Sequence, residues 1–128
     1  MAVTHSTTFR NTVCDALTTA LGASPKLKLR LSGTVGAPGT AAATLTLSAT
    51  PFPAASSGSM TANAITSDTS ATGNATAVAN ATLETSGGTV VCHFAVAASG
   101  SDLNLSNGLT IAAGDTVSCS SLTYTAMP

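Results

Sequence analysis

Two hydrophobic periods divide this chain of 128 residues. Over residues 5–22, HSTTFRNTVCDALTTALG, apolar side chains return every three or four positions. Phe9, Val13, Ala16, Leu17 and Ala20 then share one face of a helix. Ser6 or Thr7 is placed to cap its start, and Gly22 followed by Pro25 closes it. The many threonines lower helix propensity, so this helix needs a surface to pack on, either a sheet or another subunit. From Pro25 the period falls to two. In KLKLRL, residues 26–31, Lys26, Lys28 and Arg30 alternate with Leu27, Leu29 and Leu31, the pattern of a half-buried strand.

The rest of the chain repeats that alternation in short pieces. GTVGAPGT at 33–40 reads as a loop from its Gly and Pro. AATLTLSATPF alternates through Leu45 and Leu47 until Pro51 and Pro53 stop it, and MTANAITS at 60–67 follows as another strand. NATAVANATLE at 74–84 sets Ala75, Ala77, Ala79, Ala81 and Leu83 on one face, a row of small residues suited to a closely approaching neighbour. TVVCHFAVAA at 89–98 is the most hydrophobic run and is expected at the centre of the sheet. Leu103, Leu105, Leu109, Ile111, Val117 and Cys119 continue the pattern. Leu122 and Tyr124 then take the opposite phase, which a β-bulge near Ser120–Ser121 would repair. The expected fold is mainly β: an antiparallel β-sandwich, jelly-roll-like, with one short N-terminal helix. Residues 1–24 form the N-terminal segment and residues 25–128 the sandwich domain.

Composition narrows what such a domain can do. The apolar fraction is 44% but aromatics are only 3% and Trp is absent, so the core must be thin and closely packed. Charged residues make up 7% of the chain, against about 25% in ordinary soluble domains. A net charge of −1 lacks the basic footprint of a nucleic-acid binder. So neutral a surface associates readily. No signal-peptide pattern and no long apolar run suggests export or a membrane span, which points to synthesis in a cytoplasm.

Candidate chemistry is sparse. Cys14, Cys92 and Cys119 lack metal-ligand spacing and read as small buried hydrophobes, with a Cys92–Cys119 disulfide left open. His5 falls in the N-terminal tail, and His93 stands alone on a strand next to Cys92, where neighbouring side chains point to opposite faces. Asp68, Asp102 and Asp115 sit in or beside turns, where their carboxylates bond local backbone. Asn74, Asn80 and Asn104 fit the N-x-S/T pattern by abundance of Ser and Thr, and Gly33, Gly36 and Gly39 lack the lysine of a phosphate loop. No catalytic, cofactor-binding or metal-ligating residue is nominated, and an enzyme is not expected.

Two stretches carry a family resemblance. ATLTLSATPFPAASSGSMTANAITSDTSATGNATAVANA and GSDLNLSNGLTIAAGDTVSCSSLTYT resemble small virion proteins encoded in the structural modules of tailed bacteriophages, over residues 42–125. The resemblance implies a capsid decoration, or cement, protein: a homo-oligomer, dimer or trimer, on the capsid surface, bound to the major capsid protein, with no nucleic acid, membrane or cofactor involved. A receptor- or carbohydrate-binding module and a tail or connector subunit are the alternatives. Candidate partner contacts are Phe9, Arg10, Val13 and Leu17 on the helix and Lys26, Lys28 and Arg30 on the first strand. The basic face of that strand is either solvated or set against an acidic patch of a partner.

Overall fold

The computed structural model describes residues 3–34 and 36–128; Met1 and Ala2 of the expected N-terminal segment, and Val35 of the expected 33–40 loop, lie outside them. The helix α1 spans Thr7–Leu21, with Ser6 as N-cap accepting a hydrogen bond from the Phe9 amide and Gly22 as C-cap. Its buried residues are Cys14, Leu17 and Leu21, while Ala16 and Ala20 face solvent. The face is rotated about a quarter turn from the expected one at 100° per residue. The bulkier Leu21 and the thiol of Cys14, which donates to the Gly58 carbonyl at 3.4 Å, win the inner positions over alanines that bury little area.

Strands follow in order: β1 Lys26–Arg30, β2 Gly33–Thr34, β3 Ala37–Pro38, β4 Ala41–Leu47, β5 Ser59–Thr61 and β6 Ile65–Thr66. They continue with β7 Asn80–Glu84, β8 Val90–Ala97, β9 Leu103–Asn104 and β10 Thr123–Thr125. The main sheet has the order β6-β4-β1-β7-β8-β9, and two-stranded ribbons join β10 to β5 and β2 to β3. The chain is thus mainly β with one helix. The purely antiparallel sheet expected from sequence is corrected: β8 and β9 run parallel, so the main sheet is mixed. The centre belongs to β1 and β7, because β8 meets β9 only at Val96 and Ala97.

Three other expectations shift. Residues 33–40 hold the small β2–β3 hairpin, and 60–67 break into β5 and β6. The alanine-rich strand begins only at Asn80; Ala75, Ala77 and Ala79 are exposed and Val78 turns inward. Bulges interrupt β1–β4 at Leu29/Arg30 and β7–β8 at Leu83/Glu84, and no strand crosses Ser120–Ser121.

The segment before β7 and the one before β10 instead run antiparallel as an irregular ribbon. Asp68 and Val117 exchange both backbone bonds, Ala71 bonds Asp115 and Gly114, Asn74 bonds Ile111, and Val78 bonds Leu109. Gly73 (φ +66°) also donates to the Ala42 carbonyl on the outer edge of β4. A side chain there would collide with the Ala112–Ala113 backbone, so only glycine lets ribbon and strand close together. Ile111, Leu122 and Ala126 complete a core with Leu27, Leu29, Leu45, Leu47, Leu83 and the helix.

Candidate interaction surfaces

Period-two alternation gives the main sheet two different faces. On one, Leu45, Leu27, Leu83 and Cys92 lie side by side across β4, β1, β7 and β8, with Ala43, Leu29, Ala81 and Phe94 as the next row. The helix packs on this side. On the other face the rows are Thr46, Lys26 and Glu84, then Thr44, Lys28, Thr82 and His93. Three of the chain's four basic residues therefore share a face with one carboxylate.

That carboxylate organises the polar face. Glu84 Oε1 lies 2.7 Å from Lys28 Nζ, and Glu84 Oε2 accepts from Arg30 Nη2 at 2.7 Å and from Thr82 Oγ1 at 3.0 Å. Arg30 Nε donates to Thr82 Oγ1 at 2.9 Å, and its Nη1 donates to the Gly39 carbonyl. The Glu84 side chain is 1% exposed, Arg30 9% and Lys28 25%. Burial by itself would raise the Glu84 pKa, but donation from Lys28, Arg30 and Thr82 outweighs it and holds the carboxyl below its usual range. Lys26, opposite Glu84 in register, instead reaches Thr46 Oγ1 at 3.4 Å. Asn80 Oδ1 and His93 Nε2, both buried, have no hydrogen-bond partner among the described residues.

A second surface forms where the two ends of the chain meet. His5 Nδ1 lies 2.8 Å from the Pro128 backbone oxygen, and its ring sits 5.1 Å from that of Phe9. Arg10 Nη2 donates to the Ala126 carbonyl at 3.1 Å. The large exposed hydrophobic residues among those described are Val3, Phe9 and Met127, 79%, 50% and 76% exposed. The Phe9 ring lies beside His5, and Val3 and Met127 belong to the segments that carry His5 and Pro128.

The sequence-derived contacts thus separate. Phe9 presents its ring at the junction, Arg10 ties the helix to the C-terminal segment, and Val13 is half-buried against the core. Leu17 is corrected: it belongs to the core and offers no outer contact. Arg30 is likewise inside, its charge met by Glu84 of the same chain, which leaves Lys26 and Lys28 as the accessible cations of that strand. Sequence reading passed over Glu84, although Asn80, Thr82 and Glu84 alternate as strictly as the lysines. Val3 and Met127, exposed in the segments that carry His5 and Pro128, were not among the candidates either.

Two grooves of about 300 and 350 Å³ lie beneath residues 102–121, lined chiefly by serines, asparagines and leucines. No group of three or more His, Cys, Asp or Glu able to hold a metal occurs among the described residues. Cys14, Cys92 and Cys119 are free thiols; burial pushes Cys92 and Cys119 up, so both stay protonated near neutral pH. Of the turn aspartates, Asp68 and Asp115 accept from the local amides of Ser70 and Ala112 as expected, but Asp68 also accepts from Thr44 on β4, and Asp102 instead accepts from Ala95 on β8. No described helix is long and apolar enough to cross a membrane. No protein-family model, curated protein or solved structure matches the chain.

Proposed function

We propose that this chain is a structural virion protein of a tailed bacteriophage, a capsid decoration or cement protein without enzymatic activity. It binds across junctions of the major capsid protein lattice and stabilises the head, acting as a dimer or trimer on the capsid surface after synthesis in the host cytoplasm. The observation that carries this reading is that the large hydrophobic residues left exposed among those described, Val3, Phe9 and Met127, lie in the N-terminal and C-terminal segments, which His5 and Arg10 tie together. Scattered exposed hydrophobes are ordinary, but large ones confined to two segments that hydrogen-bond to each other are suited to burial under a partner. Each covered apolar Å² contributes about 25 cal/mol. Repetition over a symmetric lattice turns modest contacts into firm retention.

The fold reading that accompanies this is a sandwich-like, jelly-roll-like body in which the irregular ribbon and the β5–β10 pair serve as the second layer over the main sheet. A rigid plug of this kind needs no reactive group. The experiment is a reconstruction of virions carrying the protein, beside virions carrying Phe9→Ser. Density at capsid junctions with the end of the helix turned inward, and loss of occupancy in the variant, is the expected result. Virions without the protein, or heads equally stable to heat after its removal, overturn the reading.

A further inference from the structure

We propose that the polar face of the main sheet, at Lys26 and Lys28, docks an extended acidic segment of a partner protein. The face carries three cations against one anion, an excess of two positive charges; Asp15, Asp102 and Asp115 lie on other elements, and the Asp68 carboxylate is held by the Thr44 amide on the β4 side. Within the face, Glu84 is consumed by Lys28 and Arg30, and Lys26 meets only a hydroxyl. The excess charge is therefore concentrated where side chains are half-exposed, at Lys26 and Lys28.

Geometry selects the shape of the partner. Lys26 and Lys28 are alternate residues of one strand, so their stems rise from the same face about 6.7 Å apart. Carboxylates on alternate residues of an extended segment repeat at the same spacing, which lets each meet an ammonium without bending either backbone. Neighbouring Thr46 adds a neutral hydroxyl next to Lys26, while the Asp68 carboxylate bound to the Thr44 amide bounds the docking face on the β4 side. Nucleic acid is the poorer fit, because two unneutralised cations release too few counterions to hold a phosphate backbone at physiological salt. The inference goes beyond the capsid reading, and its test needs no virion, so either can fail without the other.

The test is a titration of the isotope-labelled chain, followed by amide NMR, with the peptide Thr-Glu-Thr-Glu-Thr-Glu-Thr. A peptide of the same composition with its glutamates contiguous, and single-stranded oligothymidylate, serve as comparisons. The alternating peptide is expected to shift the amides of Lys26, Lys28, Thr44 and Thr46 and to weaken as salt rises. Lys26→Glu is expected to raise its Kd about tenfold and Lys26→Gln about threefold. Lys26 makes one long hydrogen bond and no ion pair among the described residues, so Lys26→Gln keeps the fold and carries the test. Lys26→Glu faces Glu84 in register and is read only where its amide spectrum stays folded. Absence of binding, shifts confined to another surface, equal affinity for the contiguous peptide, or preference for the oligonucleotide each overturn the proposal.

Discussion

The two faces of the main sheet are made by the same four strands in the same register, yet they are held in different ways. On the helix side, Leu27, Leu45 and Leu83 form a row whose attraction is non-directional and scales with area removed from water. On the other side, Lys28, Arg30, Thr82 and Glu84 are held by individually aimed hydrogen bonds. The apolar face asks for volume and shape. The polar face asks for particular atoms, since each buried charge is stable only while its partner is present. One sheet can therefore be plastic on one side and exacting on the other.

The largest expected effect removes the partner shared by two cations. Glu84→Ala leaves Arg30 buried without its carboxylate, and a loss of about 3–5 kcal/mol in urea unfolding is expected, the usual cost of breaking a buried pair. Leu45→Ala, a near neighbour on the opposite face, is expected to cost about 2–5 kcal/mol through lost burial and a residual cavity. If Glu84→Ala costs under 1 kcal/mol, the polar face contributes little, and the contrast between the faces collapses.

Acid separates them further. The folded Glu84 pKa lies below the unfolded one because Lys28, Arg30 and Thr82 stabilise the carboxylate. Its contribution is then fully present above the unfolded value of about 4.3 and is lost as pH falls through the lower folded value. Urea midpoints measured from pH 6 to pH 2.5 should fall for the wild type and for Leu45→Ala along parallel curves. Glu84→Gln should show a flatter curve; a parallel one would mean that other carboxylates dominate acid unfolding.

This division between faces was half legible in the sequence. Strict alternation in KLKLRL placed Leu27 and Leu29 inward correctly, because an apolar row next to charge has only one way to face. The same alternation made Arg30 look like a surface cation, since its buried partner Glu84 is 54 residues away and no local pattern joins them. The helix and a cap at Ser6 or Thr7 were legible for the opposite reason: capping is settled within three residues, and Ser6 is the one that takes the Phe9 amide. The segment 67–79 was not legible, because Ala and Thr fit a strand as well as an irregular ribbon. What decides there is contact with residues 108–118 and the close approach at Gly73. The meeting of His5 with Pro128 has no local signal at all.

The smallest expected effects give the sharpest comparison, because they change shape rather than delete it. Leu45→Met keeps the volume of an unbranched apolar filler, and such swaps cost under about 1.5 kcal/mol; about 1 kcal/mol is expected here. Arg30→Lys looks equally mild by charge. The guanidinium, however, serves Thr82, Glu84 and Gly39 from three separate nitrogens, whereas one ammonium cannot occupy those three directions together. At least one acceptor next to a charge is left unmet, so a loss of about 2 kcal/mol is expected. Unfolding midpoints of both variants at pH 7 make the comparison directly. Lysine costing more than methionine keeps the faces distinct, and equal costs would mean that Arg30 is retained for its charge alone rather than for the fork that joins Thr82 to Glu84.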